Sequence, residues 1–490
     1  MIDIELKPQL EKRRSRTSSD IRDVVKLSIP IVVANSCRMV MDVTDFFLIS
    51  RTNDTDAMAA ILPAQMIVWA YIVIGMGTLT ILTTLASQSL GRGDRATCSA
   101  YAWQGLYLSG AFWIIGAAVW PLFPTLFALA HHEPRIEALE NEYARICFWT
   151  VGTTIAATAL SSYFNGIHRP HITMYTALEG VVVNGVVSYV LIFGKLGMPA
   201  MGIAGAAWGT VVGSAYRMAR LWIAFCSERT HREFASRDTW RPDWGKMKNV
   251  LRVGGPSGLQ WLSDVAVWAI FTVVLVGSYF GKTHQLATNA AWQYLRISFL
   301  PCLGVGMAIS SLVGRSIGAR DPDHAVRVTR IGTLCILAYM GAMSVVYFVA
   351  RVPLLGWFST DAEVIRIGSA VIICAAVFQV FDALGIGYNS ALRGAGDTFV
   401  PSLVFIASHW LMVVGGGYLV ATWFPEYGSV GPWVVASVLI VWLGVYQWWR
   451  WNSGAWRAID VFKHDRPTAA PAEFGFPSLD VDAAAEPTGS

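Results

Sequence analysis

Charged residues are scarce in this chain: Asp, Glu, Lys and Arg make up 14% of its 490 residues, against 54% hydrophobic ones, and the mean hydropathy is +0.47. An ordinary soluble domain is excluded, because so little charge and so much apolar surface need lipid as solvent. Cysteines are few: seven, at 37, 98, 147, 226, 302, 335 and 374, all in or beside apolar segments and without CxxC spacing. Neither a disulfide framework nor a zinc site follows from them. The first 25 residues lack the apolar stretch and small-residue cleavage site of a removable signal peptide, so the first helix is the expected insertion signal. Catalytic signatures are missing too. GSYFGKT at 277–283 is one residue short between its glycines for a phosphate loop, and NDTD at 53–56 is too short for the NDxxD pattern of membrane prenyltransferases. No HExxH helix or serine–histidine arrangement occurs. No enzyme chemistry and no cofactor are expected.

What the sequence does contain is a succession of apolar segments near the ~20 residues that a spanning helix requires. Twelve crossings are expected, at 27–50, 57–85, 98–122, 143–164, 172–193, 203–226, 256–280, 286–313, 328–349, 364–388, 400–423 and 431–448. The fold class is an all-α polytopic membrane protein with a tail at 1–26, an N-lobe at 27–226, a linker at 227–250, a C-lobe at 251–450 and a C-terminal tail at 451–490. That last tail, rich in Pro, Ala and acidic residues, is expected to be largely disordered. Lys7, Lys12, Arg13, Arg14 and Arg16 in the first tail, and Arg229, Arg232, Arg237 and Arg241 in the linker, place both on the cytoplasmic side of the cell's inner membrane. An even number of crossings brings the C terminus to that side as well. Acidic residues Glu228, Glu233, Asp238 and Asp243 mixed into the linker argue against a nucleic-acid partner. Trp448, Trp449 and Trp451 are expected to anchor the last helix at the bilayer interface.

The chain repeats itself. ASQSLGRGD at 86–94 matches VGRSIGARD at 313–321, pairing Ser89 with Ser316, Gly91 with Gly318 and Asp94 with Asp321 at an offset of 227. Neighbouring offsets pair Pro30 with Pro256 and Tyr163 with Tyr388. Six crossings per repeat return the chain to its starting side, so the two lobes should run parallel, related by an axis along the membrane normal, as in alternating-access transporters.

Ionisable residues inside the expected spans carry the functional signal, since each costs about 2.5–3.5 kcal/mol at a helix centre and normally faces a cavity or a partner. Arg38, Asp42 and Asp45 share one face of the first helix, and Asp45, without a partner four residues away, is the better site candidate. The seventh span holds Gln260 and Asp264; the eighth holds Gln285, Asn289, Gln293 and Arg296; the tenth holds Gln379 and Asp382; the fifth holds Glu179, Asn184 and Ser188. For the amides, hydrogen bonding between helices competes with ligand contact. His409 reads as structural, and Arg296 as a counter-charge to a carboxylate rather than a substrate contact.

These motifs resemble the multidrug and toxic compound extrusion (MATE) family, NorM-like branch. The resemblance lies in TDFFLIS at 44–50, SQSLGRGD at 87–94, NGVVSYVLIFGKLGMPAMGIAGAAWGT at 184–210, THQLATN at 283–289 and VFDALGIGYNSALRGAGDT at 380–398, in order over roughly residues 20 to 460. It implies that Asp45, Asn184 and Asp382 are coupling and substrate-site residues and that Asp264 fills an acidic position usually held by glutamate. Ser188 stands where a second asparagine is common, and Ser50 replaces a glycine.

The expected function is secondary active efflux of organic cations or amphipathic drugs in exchange for H+ or Na+, with Na+ a candidate near Asp45, Asp264 or Asp382. The expected partners are such small molecules and the lipid bilayer, with the chain acting as a monomer. A flippase for lipid-linked sugars and a non-transporting membrane scaffold are the alternatives. Buried acids that outnumber bases speak against the first, because a pyrophosphate lipid needs an arginine-rich cavity. Internal duplication speaks against the second.

Overall fold

In a computed structural model of the chain, residues 3–52, 54–128 and 133–463 are described, with side chains from residue 18 onward. Helices long and apolar enough to cross a membrane number ten among the described residues. In chain order they are the first (within Asp3–Ser50), second (Thr55–Gly91), third (Arg95–Thr125), fifth (Pro170–Phe193), seventh (Trp244–Ser278), eighth (Lys282–Gly318), ninth (Pro322–Gly356), tenth (Ala362–Ala395), eleventh (Phe399–Trp423) and twelfth (Val430–Asn452). Two further crossings fall short of that length or apolarity. The fourth is built of Pro134–Cys147 and Thr150–Gly166, and the sixth, Ile203–Phe225, carries Arg217 and Arg220. The fold is therefore twelve transmembrane helices in two six-helix lobes. Outward faces are apolar, with Ile114, Val182 and Val349 at 66%, 65% and 73% exposure, as lipid-facing positions should be.

The repeat is structural as well as sequential. Asp94 caps the third helix by accepting from Thr97 N, and Asp321 caps the ninth by accepting from His324 N. The residue preceding each aspartate adopts positive φ, Gly93 at 79° and Arg320 at 60°. The two copies of the motif also meet each other. A side chain at Gly91 would overlap the Arg315 carbonyl, and one at Gly318 would overlap that of Gln88. Gln88 and Arg315 are themselves equivalent in the repeat, so this contact obeys the lobe symmetry. Thr84 Oγ1 donates to Arg393 O at 2.9 Å, and across the same axis Ser311 Oγ donates to Asn165 O at 2.8 Å.

All of this lies on one side of the membrane. The turns at 92–94, 167–169, 319–321 and 396–398 fall on the side of the termini, and every described hydrogen bond between the lobes sits at or below the midplane toward that side. Here Asp20 on the first helix accepts from His324 Nε2 at 3.3 Å and Arg327 Nε at 3.5 Å, and Val24, Leu27 and Ile31 pack on Ala308, Leu312 and Val328. Farther in, the second and seventh helices touch backbone to backbone: a methyl group at Gly254 would overlap the Thr78 carbonyl oxygen, and one at Gly77 would lie 2.8 Å from Gly258 Cα. Beyond this seam no hydrogen bond joins the lobes among the described residues, and Asn289, Gln293 and Arg296 of the eighth helix are exposed, so the lobes part there into a cleft on the side away from the termini.

The first helix is continuous from Asp3, so the segment expected as an N-terminal tail extends it. At the other end, Trp448 and Trp449 are exposed as interfacial anchors should be, but Trp451 is 3% exposed and stacked on Trp456, which removes it from the interface. Of the expected C-terminal tail, residues 453–463 pack against the protein; residues 464–490 lie outside the described residues.

Candidate functional site

In the N-lobe the site is built around one carboxylate. Asp45 projects from the first helix toward the fifth and sixth, which approach closely because Gly209 and Gly213 face Ser188 and Asn184. Asp45 is 2% exposed. Its Oδ1 accepts from Ser188 Oγ at 2.8 Å, its Oδ2 from Thr210 Oγ1 at 2.7 Å, and Asn184 Nδ2 lies 3.4 Å from both oxygens. Every donor is neutral. Dipoles steady a buried carboxylate without cancelling its charge, so Asp45 retains its pull on a cation. The Asn184 Oδ1 is buried without a partner. Because the amide nitrogen faces the carboxylate, the oxygens gathered there are those of Asp45 and the two hydroxyls, the donor type hard cations prefer. No group of three or more His, Cys, Asp or Glu suited to a metal occurs among the described residues. Arg38 does not neutralise Asp45. It pairs with Asp42 at 3.2 Å, both partly exposed, and lies over the Trp69 ring at 5.1 Å.

The C-lobe combines carboxylates with aromatic rings. Asp264 is 40% exposed, accepts from Trp268 Nε1 at 3.0 Å and lies 3.5 Å from His409 Nε2. His409, read from sequence as structural, is 1% exposed and donates through Nδ1 to the Phe405 carbonyl, yet its other nitrogen faces this aspartate. Asp382, half-buried on the tenth helix, makes no hydrogen bond or ion pair among the described residues, and the charge of Asp264 reaches it. Trp268, Trp292 and Trp433 stack around one another at 4.9 to 6.4 Å, with Phe271 at 5.3 Å from Trp433. Carboxylates beside aromatic faces suit an organic cation. The seventh and eleventh helices both widen into π-helical turns nearby, at Phe271–Ser278 and His409–Gly416. Such turns are frequent where a helix serves a site.

The lobes share a fold without sharing chemistry. Asp264 stands eight residues after Pro256, and the equivalent place after Pro30 is Arg38. The acidic positions of the two halves are thus independent.

The remaining candidates divide. Gln379 Nε2 donates to Ser298 Oγ at 2.6 Å and leaves its own Oε1 buried and unpartnered; Gln260 Oε1 accepts from Ser402 Oγ at 2.9 Å, an interhelical bond. Gln285 lies against Gly277 at the outer end of the C-lobe. Asn289, Gln293 and Arg296 are exposed on the eighth-helix face that meets Val32 of the first helix farther down, at Gly304, so they line the cleft. Arg296 makes no ion pair among the described residues, so the expected counter-charge contact is absent there.

Glu179 does not join the site. It forms a two-pronged pair with Arg220, at 2.7 and 3.1 Å, and receives Tyr216 Oη at 3.3 Å, on the outward flank beside the exposed Tyr175 and Val182. The reason is periodicity: five residues separate it from Asn184, a rotation of about 140° on a helix. Glu179→Gln is expected to leave export within about two-fold of wild type, because such a pair contributes ~1 kcal/mol or less and Arg220 can reach the interface alone. Efflux by cells expressing the variant measures this. Sequence reasoning missed Thr210, which bonds Asp45, and Arg217, whose Nε is buried without a partner while Nη2 reaches Ser161 Oγ at 3.3 Å. An arginine inside an expected span was the signal for the second; the threonine gave none.

Comparison with known proteins fits this geometry. A sequence model described as MatE matches residues 30–190 and 263–419, the first five helices of each lobe. The chain is 27% identical over 445 residues to a protein of Chromobacterium violaceum named "Probable multidrug resistance protein NorM", covering 88% of this chain and 93% of that one. It is 25% identical over 451 residues to a protein of the same name from Thermotoga maritima, covering 91% and 95%. Its fold superposes on a solved structure titled as MATE in the bent conformation with a TM-score of 0.80 at 19% identity, covering 89% of this chain and 96% of the other. With two matched segments that together span well over half of its length, one in each lobe, the chain belongs to the MatE family.

Proposed function

We propose that the chain is a secondary active multidrug antiporter that exports organic cations and other amphipathic drugs in exchange for H+ or Na+, by alternating access between its lobes. One observation carries this reading: Asp45 is a carboxylate sealed inside a lobe and held only by neutral hydroxyl and amide donors. A charge kept in that way, in a medium where charge is expensive, is useful to a protein that takes up and releases a cation there. The names of the relatives, as multidrug resistance proteins, support the same reading.

The basic residues of the tail and linker support a cytoplasmic placement of the termini in a bacterial inner membrane. The closed seam then faces the cytoplasm and the cleft opens outward. In that state H+ or Na+ enters from outside and takes the place of the drug at the carboxylates; the loaded lobes rock about the seam, and drug re-enters from the cytoplasm as the ion leaves. Both ions fit the N-lobe site, H+ on the carboxylate itself and Na+ among its oxygens. The C-lobe rings and Asp264 receive the cationic, aromatic part of the drug.

Purified protein in proteoliposomes, given an inward H+ gradient or an inward Na+ gradient separately, should export a fluorescent cation such as ethidium under at least one of them. Flux that ignores both gradients would sink the antiport reading. Asp264→Glu should keep at least about half of the wild-type rate, since charge is retained and reach changes by one methylene. Loss beyond about ten-fold in the same vesicles would show that Trp268 and His409 hold the shorter side chain for a reason other than charge.

A further inference from the structure

After the twelfth helix the chain does not leave the protein. Gly454 turns at φ 73°, Ala455–Ala458 forms a single turn, and Trp456 stacks on Trp451 with centroids 4.3 Å apart while its Nε1 donates to the Trp451 carbonyl at 2.9 Å. Trp456 is 3% exposed. This pair fixes the direction of exit, and the next residues cross from the C-lobe to the N-lobe.

The crossing is a built contact. Val461 fills the space left by the missing side chain of Gly396, in the turn between the tenth and eleventh helices, and, 7% exposed, joins the apolar cluster that N-lobe residues share with Val250 of the seventh helix. Its carbonyl accepts from Asn249 Nδ2 at 2.8 Å, and the same amide donates to Tyr101 Oη at 2.8 Å. Asp460 pairs with Arg92 at 3.1 Å, Arg92 lies over the Phe462 ring at 4.0 Å, and Phe462 meets the Tyr101 ring edge-on at 5.9 Å. Arg92 and Tyr101 belong to the N-lobe, whereas Trp451, Trp456 and Gly396 belong to the C-lobe. The equivalent segment after the sixth helix does otherwise. It stays on its own lobe, where its Ser236 and Arg241 carbonyls accept from Trp103 Nε1 at 2.7 Å and Gln104 Nε2 at 3.1 Å. The repeat is broken at this strap.

We propose that residues 453–463 form a latch that holds the lobes together on the side of the termini and has to detach from Arg92 and Tyr101 before that side opens. The proposal rests on the alternating-access reading. It follows from geometry: a segment fixed to the C-lobe by a buried tryptophan pair and by Val461 at Gly396, and to the N-lobe by Asp460 and Phe462 on Arg92 and Tyr101, cannot keep both sets of contacts while the lobes separate. The Arg92–Asp460 pair is 41% and 56% exposed and contributes little alone, so the hold resides in the buried Val461 on the C-lobe side and in Phe462 against Arg92 and Tyr101 on the N-lobe side.

Two arms test this in the full-length protein. In the first, Val461→Asp is combined with Ser310→Cys, a seam position that is 4% exposed, and labelling by an impermeant maleimide applied from the side of the termini is measured. The labelling rate should rise by about ten-fold or more, the change expected when one buried aliphatic contact is lost. An unchanged rate would overturn the latch. In the second, Arg92→Cys and Asp460→Cys are joined by a bismaleimide with a disulfide in its spacer. Export should stop on cross-linking and return when the spacer is reduced. A verified cross-link that leaves export at the wild-type rate would overturn the proposal even if the valine variant fails to fold. Labelling needs no substrate, so a wild-type protein that exports nothing would count against the antiport reading while the first arm still judged the latch.

Discussion

Asp45→Asn is expected to abolish ion-driven export while leaving the protein folded and inserted. Asparagine keeps a carbonyl oxygen that can accept from Thr210 or Ser188, the donors that hold the aspartate at 2.7 and 2.8 Å, so the change costs at most about one hydrogen bond, ~1 kcal/mol of stability. What it removes is the charge that takes up the ion. One charge moving through a membrane potential of 100 mV supplies about 2.3 kcal/mol, enough to sustain roughly a fifty-fold drug gradient at equilibrium. The variant should therefore lose a factor of about fifty in the gradient that cells or vesicles maintain, and residual flux should run downhill only. Accumulation assays with a fluorescent cation measure it. A variant that still concentrates substrate at the wild-type level would remove Asp45 from the coupling step.

Asp382→Asn should be as severe for export, with the opposite sign for stability. No described residue bonds the Asp382 carboxylate, and the neighbouring Asp264 charge repels it. Neutralising it sacrifices no partner and relieves a charge in a poorly solvated place, so thermal stability should hold or rise. Export should fall by more than about ten-fold, because the C-lobe keeps only one of its two acids to draw a cation. The split between the two readouts is what makes this variant informative. A purely structural aspartate would lower the melting temperature when replaced, and lower activity only in proportion.

Much of this architecture was legible in the sequence, because lipid imposes simple rules. Spans of apolar residues and the 227-residue offset are one-dimensional signals, and they led to the twelve crossings and the two lobes. Asp45 stood out because a carboxylate in an apolar run needs a cavity or a partner. Less legible was which neighbour each face meets. Asn184 and Glu179 lie in one helix five residues apart; one reaches Asp45 and the other turns outward to Arg220, a distinction that periodicity contains but a list of polar residues does not. Thr210 and His409 gained their places only when the sixth helix closed on the fifth and the eleventh on the seventh. The strap was invisible because its sequence reads as the start of a polar tail, and only Gly396 and Tyr101, distant in the chain, give Val461 and Phe462 somewhere to go.

Exchange by this route requires that ion and drug share carboxylates that cannot serve both at once. Equilibrium binding of a fluorescent organic cation to purified protein, titrated with H+ at fixed Na+ and with Na+ at fixed pH, measures that most directly. The predicted result is displacement of the drug by at least one of the two ions, with the displacement weakened in Asp45→Asn or Asp382→Asn. Drug binding indifferent to both ions in the wild-type protein would contradict it.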